Sequence, residues 1–150
     1  MDDDLALRLR FFDALVRAEV RVWNALEPVA ADGSGIPLGQ LAALRLVADR
    51  RGRGRVQDLA DDIGITVGAA SKVVDRLERA GLARRTPHPT DRRSSLLAVT
   101  DEGATTLAAG TAAISDGLRA HTRDLDAAVL ADLVARLDQV TAATRTPPAG

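Results

Sequence analysis

The sequence predicts a mainly α-helical chain with one small β-hairpin set directly after a helix-turn-helix. Three observations predict it. Residues 56–80 read as a short apolar-patterned helix, a glycine turn at Gly64 and a second helix stopped by Gly81. Leu82 to Thr86 and Ser94 to Val99 read as two short extended runs around a polar knot of Pro87, Pro89, Asp91, Arg92 and Arg93. Apolar-striped helical segments flank both features.

From Leu5 to Val29 the apolar residues form two helical stripes. One is Leu5, Leu9, Phe12, Val16, Val20 and Trp23; the other is Leu7, Phe11, Leu15, Val22 and Leu26. Two stripes imply burial on most sides, which in a small protein calls for a second chain. Pro28 and the loop Ala31 to Pro37 are expected to end this helix. Leu38 to Val47 forms the next, with Leu41, Leu44 and Val47 inward, and stops at the Gly-Arg stretch Asp49 to Arg55. That stretch reads either as a solvated connector or as a flexible carrier of phosphate-contacting arginines.

In the helix-turn-helix, Leu59, Ala60 and Ile63 are expected inward on the first helix. Thr66 caps the second, whose apolar side is Ala70, Val73, Val74 and Leu77. Thr100 caps a long fifth helix with Asp101 and Glu102 in its first turn, where the dipole favours carboxylates. After about residue 122 a last helix carries Leu130, Leu133, Val134, Leu137 and Val140.

The composition excludes several function classes. The 150 residues are 46% hydrophobic and 27% charged, ordinary for a globular domain with a real core. No apolar run reaches the length of a membrane span. The acidic start, Met1-Asp-Asp-Asp, lacks the basic segment of a secretory signal, so a cytoplasmic chain is expected. Without cysteine there are no disulfides, thiolate metal sites or thiol sensors, and His88 and His121 alone argue against structural zinc. No cofactor and no metal are expected. Net charge is −1, but Arg45 to Arg93 holds 12 Lys and Arg against 7 Asp and Glu, and the remainder holds 8 against 14. A basic middle between acidic flanks suits one face that meets a polyanion.

The outward side of residues 67–80 points to that polyanion. It offers Gly68, Ala69, Ser71 and Lys72, then Asp75, Arg76 and Arg79. Small residues let a helix sink into a major groove, where Ala meets a thymine methyl and Ser donates to a base or phosphate. Lys72, the one lysine, suits a phosphate or a guanine edge. A hairpin directly after such a helix is the wing of a winged helix. Its prolines blunt the edge, and Arg92 and Arg93 can reach phosphates or a narrow minor groove. Asp91 would orient one of those arginines by a charge-assisted hydrogen bond.

These residues resemble the MarR family of winged-helix regulators over almost the whole chain. The most specific part is Asp91-Arg-Arg-Ser-Ser-Leu-Leu-Ala-Val-Thr100-Asp-Glu-Gly103, similar to the family's Asp-x-Arg wing, apolar strand and Thr-x-x-Gly helix start. Val74-Asp-Arg-Leu-Glu-Arg-Ala-Gly-Leu82 and Leu59-Ala60 are similar as well. The resemblance implies a homodimer joined through its first and last helices, with two recognition helices and two wings on a palindromic operator. It also implies a small-molecule cleft between the dimerisation helices and the DNA-binding lobe, and makes Arg93 the minor-groove arginine. Gln57 stands where the family commonly has a Ser or Thr cap, which predicts a weaker start for that helix. The cysteine-free first helix departs from the peroxide-sensing branch.

The expected organisation is a dimerisation helix and loop at 1–36, a DNA-binding lobe at 37–100, dimerisation helices at 101–145 and a frayed tail at 146–150. The expected function is a transcriptional regulator, acting as a repressor, that binds an inverted-repeat operator in double-stranded DNA through Thr66, Gly68, Ala69, Ser71, Lys72, Arg76, Arg92 and Arg93. A small aromatic effector would release it. Trp23 reads either as dimer core or as a stacking wall for that effector. Two rivals remain: a winged helix used for protein contacts without DNA, and a hydrolase built on His88, Asp91 and Ser94 or Ser95. The second lacks a nucleophile elbow and a pocket that excludes water.

Overall fold

A computed structural model describes residues 3–91 and 94–145. Arg92, Arg93 and the tail expected to fray at 146–150 lie outside them. Six helices and one hairpin follow in order: α1 (Asp3–Ser34), α2 (Leu38–Asp49), α3 (Val56–Ile63), α4 (Val67–Arg79), β1 (Ala83–Pro87), β2 (Ser95–Val99), α5 (Asp101–His121) and α6 (Ala127–Arg145). The chain forms two compact units, one up to Gly117 and one from Leu118.

The first helix does not end at Pro28. It runs through the proline to Ser34, and Gly35, at φ +74°, closes it by donating its N–H to the Ala31 carbonyl. The ring forfeits the N–H that would reach Asn24, a cost of about 3 kcal/mol in an exposed helix. Leu26 and Ala30 on either side are buried, so packing carries the helix across the break.

Two apolar clusters organise the first unit. In one, Leu44, Val47, Leu59, Val74, Leu77 and Leu97 bring α2, α3, α4 and β2 together. In the other, Leu26, Ala30, Leu38, Leu41 and Ile114 join α1, α2 and α5. The helices approach closely where a side chain is absent: a β-carbon on Gly110 of α5 would collide with Leu41, and one on Gly103 with the Leu82 carbonyl. Thr100 fixes that second junction. Its hydroxyl donates to the Gly81 carbonyl (2.6 Å) and accepts from the Gly103 amide (3.0 Å), the expected cap.

The turn between α3 and α4 follows its residues. Gly64 adopts φ +77°, a conformation that costs a non-glycine residue about 1 kcal/mol or more. The Thr66 hydroxyl accepts from the Ala69 amide at 3.2 Å. Two expectations fail here. Ile63 is 40% exposed, because α3 has only eight residues and its last one turns past the core that Leu59 and Ala60 occupy. Gln57 is not the cap position: the residue before α3 is Arg55, whose N–H donates to the Asp58 carboxylate at 2.7 Å.

The hairpin is antiparallel, in register from Ala83 opposite Val99 to Pro87 opposite Ser95. Both outer edges are covered at one level. Leu97 of β2 donates its N–H to the Gly54 carbonyl at 2.8 Å, and Arg85, its cross-strand partner on β1, donates its N–H to the Glu78 carboxylate at 2.7 Å. Covering an edge removes a template for unwanted strand pairing. The Gly-Arg stretch is thus more than a connector.

Candidate nucleic-acid interface

The α4 helix is held by its inner face. Ala70, Val74 and Leu77, spaced four and three, are fully buried and fix the rotation of the helix. That rotation leaves Gly68, Ala69, Lys72 and Arg76 exposed together on one outward flank. A β-carbon on Gly68 would meet nothing within 4 Å, so the space above the first turn is open. Among the described residues neither Lys72 nor Arg76 takes part in an ion pair. Thr66 is exposed, with its oxygen committed to the cap.

The other flank of α4 behaves differently. Ser71, half-buried, accepts a hydrogen bond from Arg85 (3.3 Å), and the same guanidinium reaches Asp75 at 2.8 Å and forms an ion pair with Glu78. The sequence reading placed Asp75 and Ser71 among the outward groups and did not single out Arg85. The alternation along β1 contained the signal: Arg85 shares a face with buried Ala83 and lies opposite buried Leu97.

At the far end of the hairpin, His88 continues the ladder through its N–H to the Ser94 carbonyl, and the Asp91 carbonyl accepts from the Ser94 amide. The His88 ring meets the Arg55 guanidinium at 2.9 Å and Thr90 on its other nitrogen. The arginines that Asp91 would orient lie outside the described residues. Arg50, by contrast, has a partner within the protein. It pairs with Asp62 at 2.6 Å, and that hydrogen bond and charge hold its guanidinium still further above its ordinary pKa.

Trp23 lines three hollows, and the two larger ones reach α2. One, about 420 Å³, is walled by Trp23, Leu26, Leu38, Leu41 and Ile114 and brings in Arg45, whose guanidinium touches the Thr111 hydroxyl at 3.5 Å. The other, about 390 Å³, runs from Trp23 past Ile63 and Ile65 to Val73 and Arg76 of α4. Ile63 is therefore exposed into a groove. A larger cleft of about 590 Å³ between α2, β2 and α5 is floored by alanines and edged by Arg51 and Thr111. Arg45 was not singled out from sequence, where it is one arginine among many. Among the described residues no cluster of side chains suits a metal, and no helix is long and apolar enough to cross a membrane.

Residues 36–95 match the family model described as the MarR family, across α2, α3, α4 and β1. That segment is similar to the MarR family, and the fold is a winged helix. No curated protein matches the sequence. Solved structures do. The transcriptional repressor CouR bound to a 23-mer DNA duplex is 29% identical, with 85% of this chain and 89% of that one covered at a TM-score of 0.78. CouR from Rhodococcus jostii RHA1 bound to p-coumaroyl-CoA matches at 24% identity, 85% and 88% coverage and 0.75. Sco3205, a MarR-family regulator from Streptomyces coelicolor in complex with DNA, matches at 24%, 95% and 90%, and 0.80. The MarR fold therefore extends beyond the matched segment to the helices on either side.

Proposed function

We propose that this protein is a MarR-type homodimeric transcriptional repressor that binds an inverted-repeat operator and leaves it when a small aromatic acid binds. The observation that carries the DNA reading is the bare flank of α4, with Gly68 and Ala69 in the first turns and exposed Lys72 and Arg76 behind them. Small residues admit the helix to the major groove, and the two cations meet phosphate or a guanine edge. Thr66 and Ser71 add hydroxyl donors beside it. Arg92 supplies a phosphate contact and Arg93 the minor-groove contact, with Asp91 as the carboxylate that aims one of them. DNA-bound CouR and Sco3205 support this reading.

In this proposal 37–100 is the DNA-binding lobe, and 1–36 and 101–145 make the dimer. Support comes from apolar side chains left open in the single chain: Phe11, Phe12 and Val16 on α1, and Leu133, Val134 and Leu137 on α6. Exposure of that extent is what a protein–protein interface covers. Two-fold symmetry then makes the operator an inverted repeat with half-sites about one helical turn apart.

The effector occupies the groove between Trp23 and Arg45. An indole face and aliphatic walls suit an aromatic ring, and one guanidinium suits its carboxylate. CouR bound to p-coumaroyl-CoA supports a ligand of aromatic acid type. The floor of the groove is α2, whose opposite side packs on α4 through Leu44 and Val47. A ligand that wedges α1 from α2 thus acts on the element that holds the recognition helix.

Selection of bound duplexes from a random pool tests the reading. Enrichment of one inverted repeat supports it, and recovery of unenriched sequence refutes it.

A further inference from the structure

Arg85 occupies a position where the strand pattern calls for an apolar side chain. It lies opposite Leu97, which is 1% exposed, on the face of the hairpin turned to the helices, and its own side chain keeps only 26% of its accessible surface. Placing a guanidinium there is costly unless its donors are satisfied. They are satisfied by one flank of α4: Ser71, Asp75 and Glu78, spaced four and three along the helix, each accept from it. Glu78 receives both the guanidinium and the backbone N–H of Arg85, so a single carboxylate grips side chain and strand together. On the opposite edge, Gly54 holds Leu97.

We infer that Arg85 is a positioning residue that locks the wing to the recognition helix as one rigid reading surface and masks Asp75 and Glu78 from DNA phosphates. This rests on the DNA-binding reading proposed above. Without Arg85, two carboxylates would face a polyanion beside Lys72 and Arg76. The wing would keep its apolar packing on α4 and the backbone N–H bond to Glu78 but lose the guanidinium that spans Ser71, Asp75 and Glu78. Masking by an internal cation differs from direct contact with DNA in one respect. When the carboxylates themselves are removed, the cation is no longer needed as a mask.

The test compares the full-length protein with Arg85→Met, Asp75→Asn/Glu78→Gln and the triple variant, each checked for a native thermal melt. DNA affinity is read by anisotropy over a salt series. The inference expects Arg85→Met to bind about tenfold or more weakly. It expects the triple variant, relieved of the unmasked carboxylates but still without the lock, to bind at least about threefold more tightly than Arg85→Met, with the wild-type salt slope. A triple variant as weak as Arg85→Met, with a slope lower by about one, makes Arg85 a phosphate contact and overturns the inference. Undiminished binding by Arg85→Met overturns it as well. Hydrogen exchange on the DNA-free protein supplies the second arm. Arg85→Met should speed exchange of the Leu97 amide about tenfold while leaving Leu44 unchanged. If wild type binds no duplex, the proposed function fails, whereas unchanged exchange at Leu97 sinks the clamp itself.

Discussion

The indole of Trp23 lies against α2 at Gly39, with ring carbon Cζ2 3.7 Å from the place a β-carbon on Gly39 would take. Trp23 is thereby the partition between two grooves, one leading to Arg45 and the other to Arg76. It is also the one tryptophan in a chain without tyrosine, so emission excited near 295 nm reports this partition alone. If benzoate or p-coumarate releases DNA, it should quench or shift that emission with the same midpoint. Linkage requires DNA to weaken the acid's binding by the same factor. DNA release with silent Trp23 emission would assign the effector to another cleft and Trp23 to the core.

Arg45→Gln should separate ligand response from DNA binding. Loss of a charged hydrogen bond to a carboxylate should cost about 1.5–3 kcal/mol of effector affinity. Operator affinity without effector should stay within about threefold of wild type. Titration calorimetry with the acid and anisotropy with the operator check the two halves, and equal losses in both would tie Arg45 to stability.

Sedimentation at micromolar concentration should give twice the 15.8 kDa chain mass. Leu133→Asp should shift the protein towards monomer and lower operator affinity with it, because half-site pairing needs both lobes. A monomeric wild type that binds the operator would contradict the two-fold arrangement.

Two glycines should respond oppositely to alanine. At Gly103 the added carbon meets the Leu82 carbonyl, which is backbone and cannot swing away. Gly103→Ala should therefore destabilise by about 3 kcal/mol or more, read as a lowered denaturation midpoint. At Gly68 the added carbon meets nothing, so Gly68→Ala should stabilise by a few tenths to about 1 kcal/mol. Gly68→Leu should fold normally yet bind DNA at least about tenfold more weakly, since it fills the space the groove wall needs. Normal binding by Gly68→Leu would remove α4 from the groove.

Lys72→Ala and Arg93→Ala should fail differently. Lys72 as a phosphate contact predicts an even loss across sequences and a salt slope lower by about one. Arg93 in the minor groove predicts a loss of about 1–3 kcal/mol that relaxes preference for A·T-rich flanks.

Local chemistry made much of the fold legible from sequence. Gly64 and Gly81 have positive φ, and Thr66 and Thr100 cap their helices. These outcomes depend on neighbours within three or four residues. Pro28 misled because the rule that proline ends a helix is also local, whereas the burial of Leu26 and Ala30 that overrides it is tertiary. Ile63 misled because apolar spacing along a two-turn helix does not say which residue reaches the core. The outward flank of α4 was readable as an α-helical face. Arg85 was not, because its partners stand seven to fourteen residues back and meet it only once the hairpin folds against the helix. Arg45 was hidden for the same reason: the groove it faces is assembled from α1, α2 and α5.

The measurement that tests the central claim most directly is binding of the selected inverted repeat and of a scrambled duplex across a salt series. Two chains should bind each operator. Log affinity should fall linearly with log salt, and at physiological salt the operator should be preferred by about a thousandfold or more. Equal affinity for the two duplexes, or no binding even at low salt, would contradict the account.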